Sequence, residues 1–344
     1  MTDPRSLFDF AGILFAQAEP SGIVEHSCRI AEHTLRFRFA GRGLASRLLP
    51  AFGHLERAQP SAADLTILCW DDAAAGVSTP EPALAGTEQG VTFLDGPLRF
   101  AADHQTRRLE AYDASRGLAL FRVPDHATLS SWEPGSPFLR ILHWWSAGHG
   151  LQLVHGAAVG RPEGAVLLVG RGGSGKSTTA LACIGSELNY LSDDYCLLQP
   201  GPWPMVHSLF SSGKADGNSI ARLPLLSPAF AAGLKDPGGK SIIFLAEHCP
   251  AALQRAAPLR AVVVPMIVPG NGCTAEPLGR AEALRALAPS TLFQLPGERA
   301  KSFGAITAVL RELPCWRLRV GGDPSRAAGE LLGIIHHRAV QHAG

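Results

Sequence analysis

A chain of 344 residues, 46% hydrophobic and 18% charged, has enough apolar material for two cores, and its net charge of +1 gives no bulk attraction for nucleic acid or an anionic membrane surface. The opening stretch MTDPRSLFDFAGILFAQAEP has acidic residues where a secretion signal needs basic ones, and its apolar run is too short to cross a bilayer. These features predict a cytoplasmic protein with neither a nucleic-acid nor a membrane partner, and they leave homo-oligomer formation open.

Residues 1–130 read as a mainly β N-terminal domain. In TLRFRF, Leu35, Phe37 and Phe39 share one face and the two arginines the other, the alternation of a half-buried strand. DLTILCWD, VTFLDG, LRFAAD, RRLEAYD and LALFRV repeat the pattern between turn residues, while PSAADLT and the stretch from Ala73 to Gly90 read as loops. No catalytic motif occurs here, which makes this domain the candidate for substrate recognition. Residues 131–150 are expected to connect the domains through a helix from about Pro137 to Ala147, with His143, Trp144 and Trp145 filling an interface within the chain.

From Leu151 the texture becomes α/β. LQLVHGAAVG and GAVLLVG are near-continuous apolar runs suited to strands buried on both faces. The second run leads into VGRGGSGKSTTA, where Gly170, Gly175, Lys176 and Ser177 complete the pattern of a nucleotide phosphate loop, and KSTTALACIGS follows as a helix. Strand, glycine loop and helix form the context that such a loop requires. Backbone N–H groups around Gly172, Gly173, Ser174 and Gly175, continuing to Thr178, would converge on phosphate at the positive end of the helix. Lys176 would neutralise the β and γ oxygens of ATP, and Ser177 would ligate Mg²⁺.

Two further features accompany the loop. ELNYLSDDYCLL reads as the next strand and carries Asp193 and Asp194, of which one can hold Mg²⁺ and the other accept a proton. His155, in VHGAAV, lies one strand before the loop. If the neighbouring strands are parallel, their C-terminal ends share one sheet edge, which puts His155 within reach of the phosphates. Only five lysines stand against 26 arginines, which makes Lys214 and Lys240, with Arg222, weak candidates in this half, though each reads first as a structural or surface group. Downstream, RAVVVPMIV reads as a strand that Pro265 pushes toward an edge or a bulge. RAEALRAL and FGAITAVLREL read as helices, CWRLRV as an alternating strand, and Asp323-Pro324 as the cap of a last helix. The seven cysteines (Cys28, Cys69, Cys183, Cys196, Cys249, Cys273 and Cys315) never fall in CxxC spacing and read as reduced thiols.

VHGAAVG, LLVGRGGSGKSTTAL and YLSDDYCLL together resemble the catalytic core of HPr kinase/phosphorylase, a serine kinase that shares its fold with phosphoenolpyruvate carboxykinase. The resemblance is good over about Leu151 to Gln199 and looser to the C-terminus. It implies a P-loop kinase domain over residues 151–344 and phosphoryl transfer from ATP with Mg²⁺. It also implies a nucleotide role for Lys176 and Ser177, an assisting role for His155, and a base within the aspartate pair, with Asp193 favoured as base and Asp194 as metal ligand. The glycine-rich segment that follows the aspartates in that family is replaced by VHSLFSSGKADGNSIARLP. LFSSGKA, KSIIFLAEHCP and EALRALAPSTLFQLPG are instead similar to HPr kinase-like proteins of lasso peptide biosynthesis, which implies a peptide or small-protein substrate phosphorylated on serine. The alternatives are a kinase of a free amino acid or sugar, a kinase of an HPr-like protein, and a nucleotide-gated module without transfer chemistry.

Overall fold

Leu35, Phe37 and Phe39 are fully buried while Arg36 and Arg38 between them are half-buried, and strands of this kind build the sheet of the first unit. The computed structural model describes residues 4–57, 62–79, 90–236, 238–294 and 298–341. The chain divides into two compact units, Met1–Gly148 and His149–Gly344. Among the described residues no helix is long and apolar enough to cross a membrane, and all seven cysteines are free thiols.

The first unit runs α1 (Pro4–Ala18), β1 (Ile23–Ile30), β2 (His33–Ala40), α2 (Arg42–Leu48), β3 (Leu65–Asp71), α3 (Asp72–Ala75), β4 (Gly90–Asp95), β5 (Leu98–Asp103), β6 (Leu109–Asp113), β7 (Leu118–Val123) and α4 (Leu139–Gly148). Its seven strands form one sheet in the order β1-β2-β3-β7-β6-β5-β4, parallel at β2–β3 and β3–β7 and antiparallel elsewhere. The strands follow the alternating segments of the sequence, but the unit is not purely β. Phe8, Ala11, Leu14 and Phe15 recur at helical spacing along α1 and pack with Trp70, Phe100 and Leu120. Of the two stretches read as loops, residues 80–89 and 60–61 lie outside the described residues.

Helix α4 belongs to this first unit. His143, Trp144 and Trp145 are buried, and the Trp145 ring meets His33 edge-on at 5.4 Å. Beside it Arg108 donates to both carboxylate oxygens of Glu133 at 2.7 Å, and Arg140 lies 2.8 Å from Glu110. Burial outweighs the attraction of Arg108 and pushes the Glu133 pKa up to about 7.

The second unit runs β8 (Gln152–His155), β9 (Ala157–Arg161), β10 (Gly164–Leu168), α5 (Lys176–Ala182), β11 (Asn189–Ser192), β12 (Tyr195–Gln199), β13 (Met205–His207), β14 (Ser212–Asp216), α6 (Gly217–Ile220), α7 (Ser227–Ala232), β15 (Leu234–Lys235), β16 (Lys240–Phe244), α8 (Leu245–His248), β17 (Ala256–Ile267), β18 (Cys273–Leu278), α9 (Arg280–Phe293), α10 (Arg299–Glu312), β19 (Cys315–Val320) and α11 (Ala327–Gln341). Nine strands make its main sheet, in the order β11-β9-β10-β17-β13-β12-β8, with β19 also on β17 and β18 on β19. A smaller sheet is ordered β14-β16-β15. Both faces of the main sheet are covered, so the unit is α/β. Val166 and Leu168 of β10 pack toward α5 and α11, while Ala165 and Leu167 pack toward α9 and α10. That division is why GAVLLVG is apolar at successive positions.

Two expectations are corrected. LQLVHGAAVG is two strands, broken at Gly156, because β8 pairs with β12 whereas β9 lies between β10 and β11. The strands nearest the loop are mostly antiparallel, and of the neighbours of β10 only β17 is parallel to it. At Pro265 strand β17 is paired on one side only: β10 stops opposite Val263, so the missing N–H of Pro265 falls past the end of that neighbour while pairing with β19 continues, a local edge of the kind the proline predicts.

Candidate active site

The loop after β10 takes its shape from its glycines. Gly170, Gly173 and Gly175 all have positive φ, and a Cβ on Gly170 would lie 2.6 Å from Ser174 Oγ. Around Gly172 and Gly173, by contrast, a Cβ would meet nothing within 4 Å. The loop is thus tight on its inner side and open on its outer side, as a backbone cradle for phosphate must be. Gly175 leads into α5, whose first residues are Lys176, Ser177 and Thr178.

Lys176 is buried and folds back over the loop, its Nζ donating to the Gly170 carbonyl at 2.7 Å and the Arg171 carbonyl at 3.3 Å. Burial lowers its pKa, opposed by Asp193 and Asp194. Ser177 Oγ donates to Asp193 Oδ1 at 2.9 Å, and Thr178 Oγ1 donates to Ser219 Oγ at 3.0 Å. Asp193 is only 1% exposed, and its Oδ2 is buried without a hydrogen-bond partner. Burial and the neighbouring Asp194 charge push the Asp193 pKa up to about 6. A divalent cation would find two hard oxygen donors here, Ser177 Oγ and Asp193, and would satisfy the orphaned oxygen. These residues fit Mg²⁺, and the loop fits the phosphates it would accompany.

Asp193 and Asp194 do not lie within a strand; they form the turn between β11 and β12. Asp194 adopts a left-handed conformation with φ 62°, and its carbonyl accepts from Gly156 N at 3.0 Å. The twist directs the two carboxylates apart. Asp194 Oδ2 accepts from Lys214 Nζ at 2.5 Å, and Asp194 Oδ1 lies 3.7 Å from His155 Nε2. Burial disfavours the Asp194 carboxylate, but Lys214 and His155 outweigh it and hold its pKa well below the usual range. The roles suggested by sequence thus meet a different geometry, because the carboxylate bonded to Ser177 is Asp193 and the partly exposed one is Asp194.

His155 reaches this place by antiparallel pairing of β8 with β12, in which it stands opposite Tyr195. Its backbone N donates to Thr291 Oγ1 at 3.1 Å, its Nδ1 is buried without a partner, and its ring lies 5.4 Å from that of Tyr195. Tyr195 Oη donates to Gln294 Oε1 at 2.9 Å. Helix α9 is therefore anchored to the site at two points, through residues that sequence reading did not select. Lys214, Arg222 and Lys240, read there as structural or surface groups, line one cavity of about 350 Å³ with Lys176, Ser177 and Asp194. The scarcity of lysine in an arginine-rich chain is the sequence signal that singles out Lys214.

No family model and no curated protein matches the chain. Among solved structures, the HPr(Ser) kinase/phosphatase from Coxiella burnetii is similar at 13% identity and a TM-score of 0.29, over 56% of this chain and 99% of that one. The loop and its aspartates, not that likeness, carry the functional reading.

Proposed function

We propose that this protein is an ATP-dependent kinase that transfers the γ-phosphoryl group to a hydroxyl, in the first instance a serine of a peptide or small protein such as a lasso-type precursor. The observation that carries the reading is the pairing of Ser177 with a buried aspartate beside a second, oppositely directed aspartate held by Lys214 and His155. A binding module needs the first arrangement and has no use for the second.

Asp193 and Ser177 would hold Mg²⁺, which supplies charge neutralisation at the β and γ oxygens when bound. Lys176, now on loop carbonyls, would exchange them for the β and γ oxygens. Asp194 would orient the acceptor hydroxyl and take its proton. Its low pKa suits a loose transition state, in which the proton leaves late and base strength contributes little. Lys214 keeps Asp194 ionised and aimed, and His155 completes the polar wall. This exchanges the aspartate roles favoured by the resemblance, on the ground that a buried carboxylate bonded to the metal-binding serine cannot also meet a substrate.

The test is mass spectrometry after incubation with Mg·ATP and a panel of serine peptides, small proteins, free amino acids and sugars. Phosphopeptide formed by the native chain and absent with Lys176→Ala is the expected result. Phosphorylation of a free amino acid or sugar alone would move the reading to a small-molecule kinase, and binding of ATP with no transfer to any acceptor would reduce it to a nucleotide-gated module.

A further inference from the structure

Two cavities flank the phosphate loop within the second unit. The one of about 350 Å³ includes Lys176, Ser177 and Thr178, at the start of α5. The other, of about 710 Å³, includes Gly170 and Arg171 together with Met266 and Ile267 at the end of β17 and Arg285 on α9. His155, Gly172, Gly173 and Ile267 border both.

This arrangement gives the phosphate chain a direction. Thr178 lines only the first cavity, and the carbonyls of Gly170 and Arg171, where Lys176 Nζ rests, belong to the limb that lines only the second. Lysine in such a loop serves the β and γ oxygens, so the γ end points toward Gly170 and Arg171. An acceptor must enter in line with the γ group from the side away from the departing diphosphate. The larger cavity stands on that side.

Its wall is cationic and apolar. Among the described residues Arg171 and Arg285 have no carboxylate in ion-pair contact, whereas Arg317 in the same wall is held by Glu276 at 3.1 Å and Glu282 at 2.8 Å. Among the described residues that line this cavity none is acidic, while Asp194 and Asp216 line the other. Met266 and Ile267 are 36% and 52% exposed. Guanidinium groups without a counter-charge attract carboxylates, and exposed aliphatic groups beside them gain from being covered.

We infer that the cavity bounded by Arg171, Ile267 and Arg285 is the acceptor site, and that it takes a peptide segment in which the acceptor hydroxyl stands between an apolar and an acidic side chain. The inference rests on the kinase reading above. Phosphoryl transfer then breaks the bond from the γ-phosphorus to the bridging oxygen of ATP and forms one to the acceptor oxygen, with ADP leaving and the hydroxyl proton passing to the His155–Asp194 pair, of which His155 borders both cavities and lies 3.7 Å from Asp194.

The test uses the full chain. Calorimetry with Mg²⁺ and a non-hydrolysable ATP analogue comes first, and failure of nucleotide binding there would sink the kinase reading instead of this one. With nucleotide bound, affinity is measured for two seven-residue peptides carrying a single serine preceded by leucine, one with Glu and one with Gln after the serine. The Glu peptide is expected to bind about tenfold tighter, as one charge-assisted contact allows, and Arg285→Gln to remove that advantage while nucleotide affinity holds. Arg285→Glu should transfer the preference to a Lys peptide, which separates loss of charge from loss of fold. Equal binding of the two peptides, binding of neither, a preference that survives Arg285→Gln, or binding of 2-hydroxy-4-methylpentanoate in place of the peptides would each overturn the inference.

Discussion

Ser177 Oγ donates to Asp193, while the adjacent Asp194 turns away to Lys214. A single left-handed residue in the turn after β11 thus gives neighbouring carboxylates different surroundings, one buried on Ser177 and one partly exposed toward an open cavity. That difference separates the outcomes expected of their substitution.

Asp193→Asn should raise the Mg²⁺ concentration needed for half-maximal nucleotide binding by tenfold or more, as on the order of 10- to 100-fold follows from disturbing a metal's ligand environment. Asp194→Asn should leave Mg·ATP affinity within several-fold and lower transfer by about a hundredfold or more. Titration of metal in binding and single-turnover experiments checks both, and reversed phenotypes would restore the assignment favoured by the resemblance.

Lys176→Ala removes a buried ammonium whose bonds are to loop carbonyls, so the loss falls on the phosphate site. Transfer should drop by on the order of a hundredfold or more, with the far-ultraviolet circular dichroism spectrum unchanged. Native turnover in this variant would dismiss the loop as a phosphate site.

Gly160→Ala tests the β9–β10 pairing that carries the loop. A Cβ there would lie 2.5 Å from Ala165 Cα and from the Gly164 carbonyl oxygen, contacts that only backbone movement can relieve. Overpacking of this kind costs about 1–3 kcal/mol, and urea unfolding of the variant measures it.

Glu133 gives the first unit a pH dependence. Its folded-state pKa is raised to about 7 from an ordinary value of 4.5, so the folded state holds the proton more tightly than the unfolded chain. The resulting stabilisation is full below about pH 4.5 and is lost as pH rises through about 7. Melting temperatures across that window should show the loss, and Glu133→Gln, which cannot release the proton, should remove it.

Much of the second unit was legible in its sequence because its signals are local. A phosphate loop needs glycine where φ is positive, lysine and serine at the start of the following helix, and an apolar strand before it, and all of these lie between Ala165 and Ser177. The alternating strands of the first unit were legible for the same reason, since Leu35, Phe37 and Phe39 report a pleat that needs no distant partner. Helix α1 is less legible because the helical spacing of Phe8, Ala11 and Phe15 lies in a short apolar run that composition alone does not separate from a targeting segment.

What the tertiary structure decided depends on pairing between segments far apart in sequence. That His155 meets Asp194 follows from β8 lying antiparallel to β12, a register that no feature near His155 encodes. Lys214 reaches Asp194 from β14 in a separate sheet, and Arg285 of α9 lines one cavity with the loop, while Thr291 in that helix and Gln294 just after it bond to His155 and Tyr195, far earlier in the chain. The sequence by itself therefore determined the glycine loop between β10 and α5, whose residues are contiguous. Only the fold decided which carboxylate meets Ser177 and which meets Lys214, because side-chain direction at a turn is set by the strands that hold it.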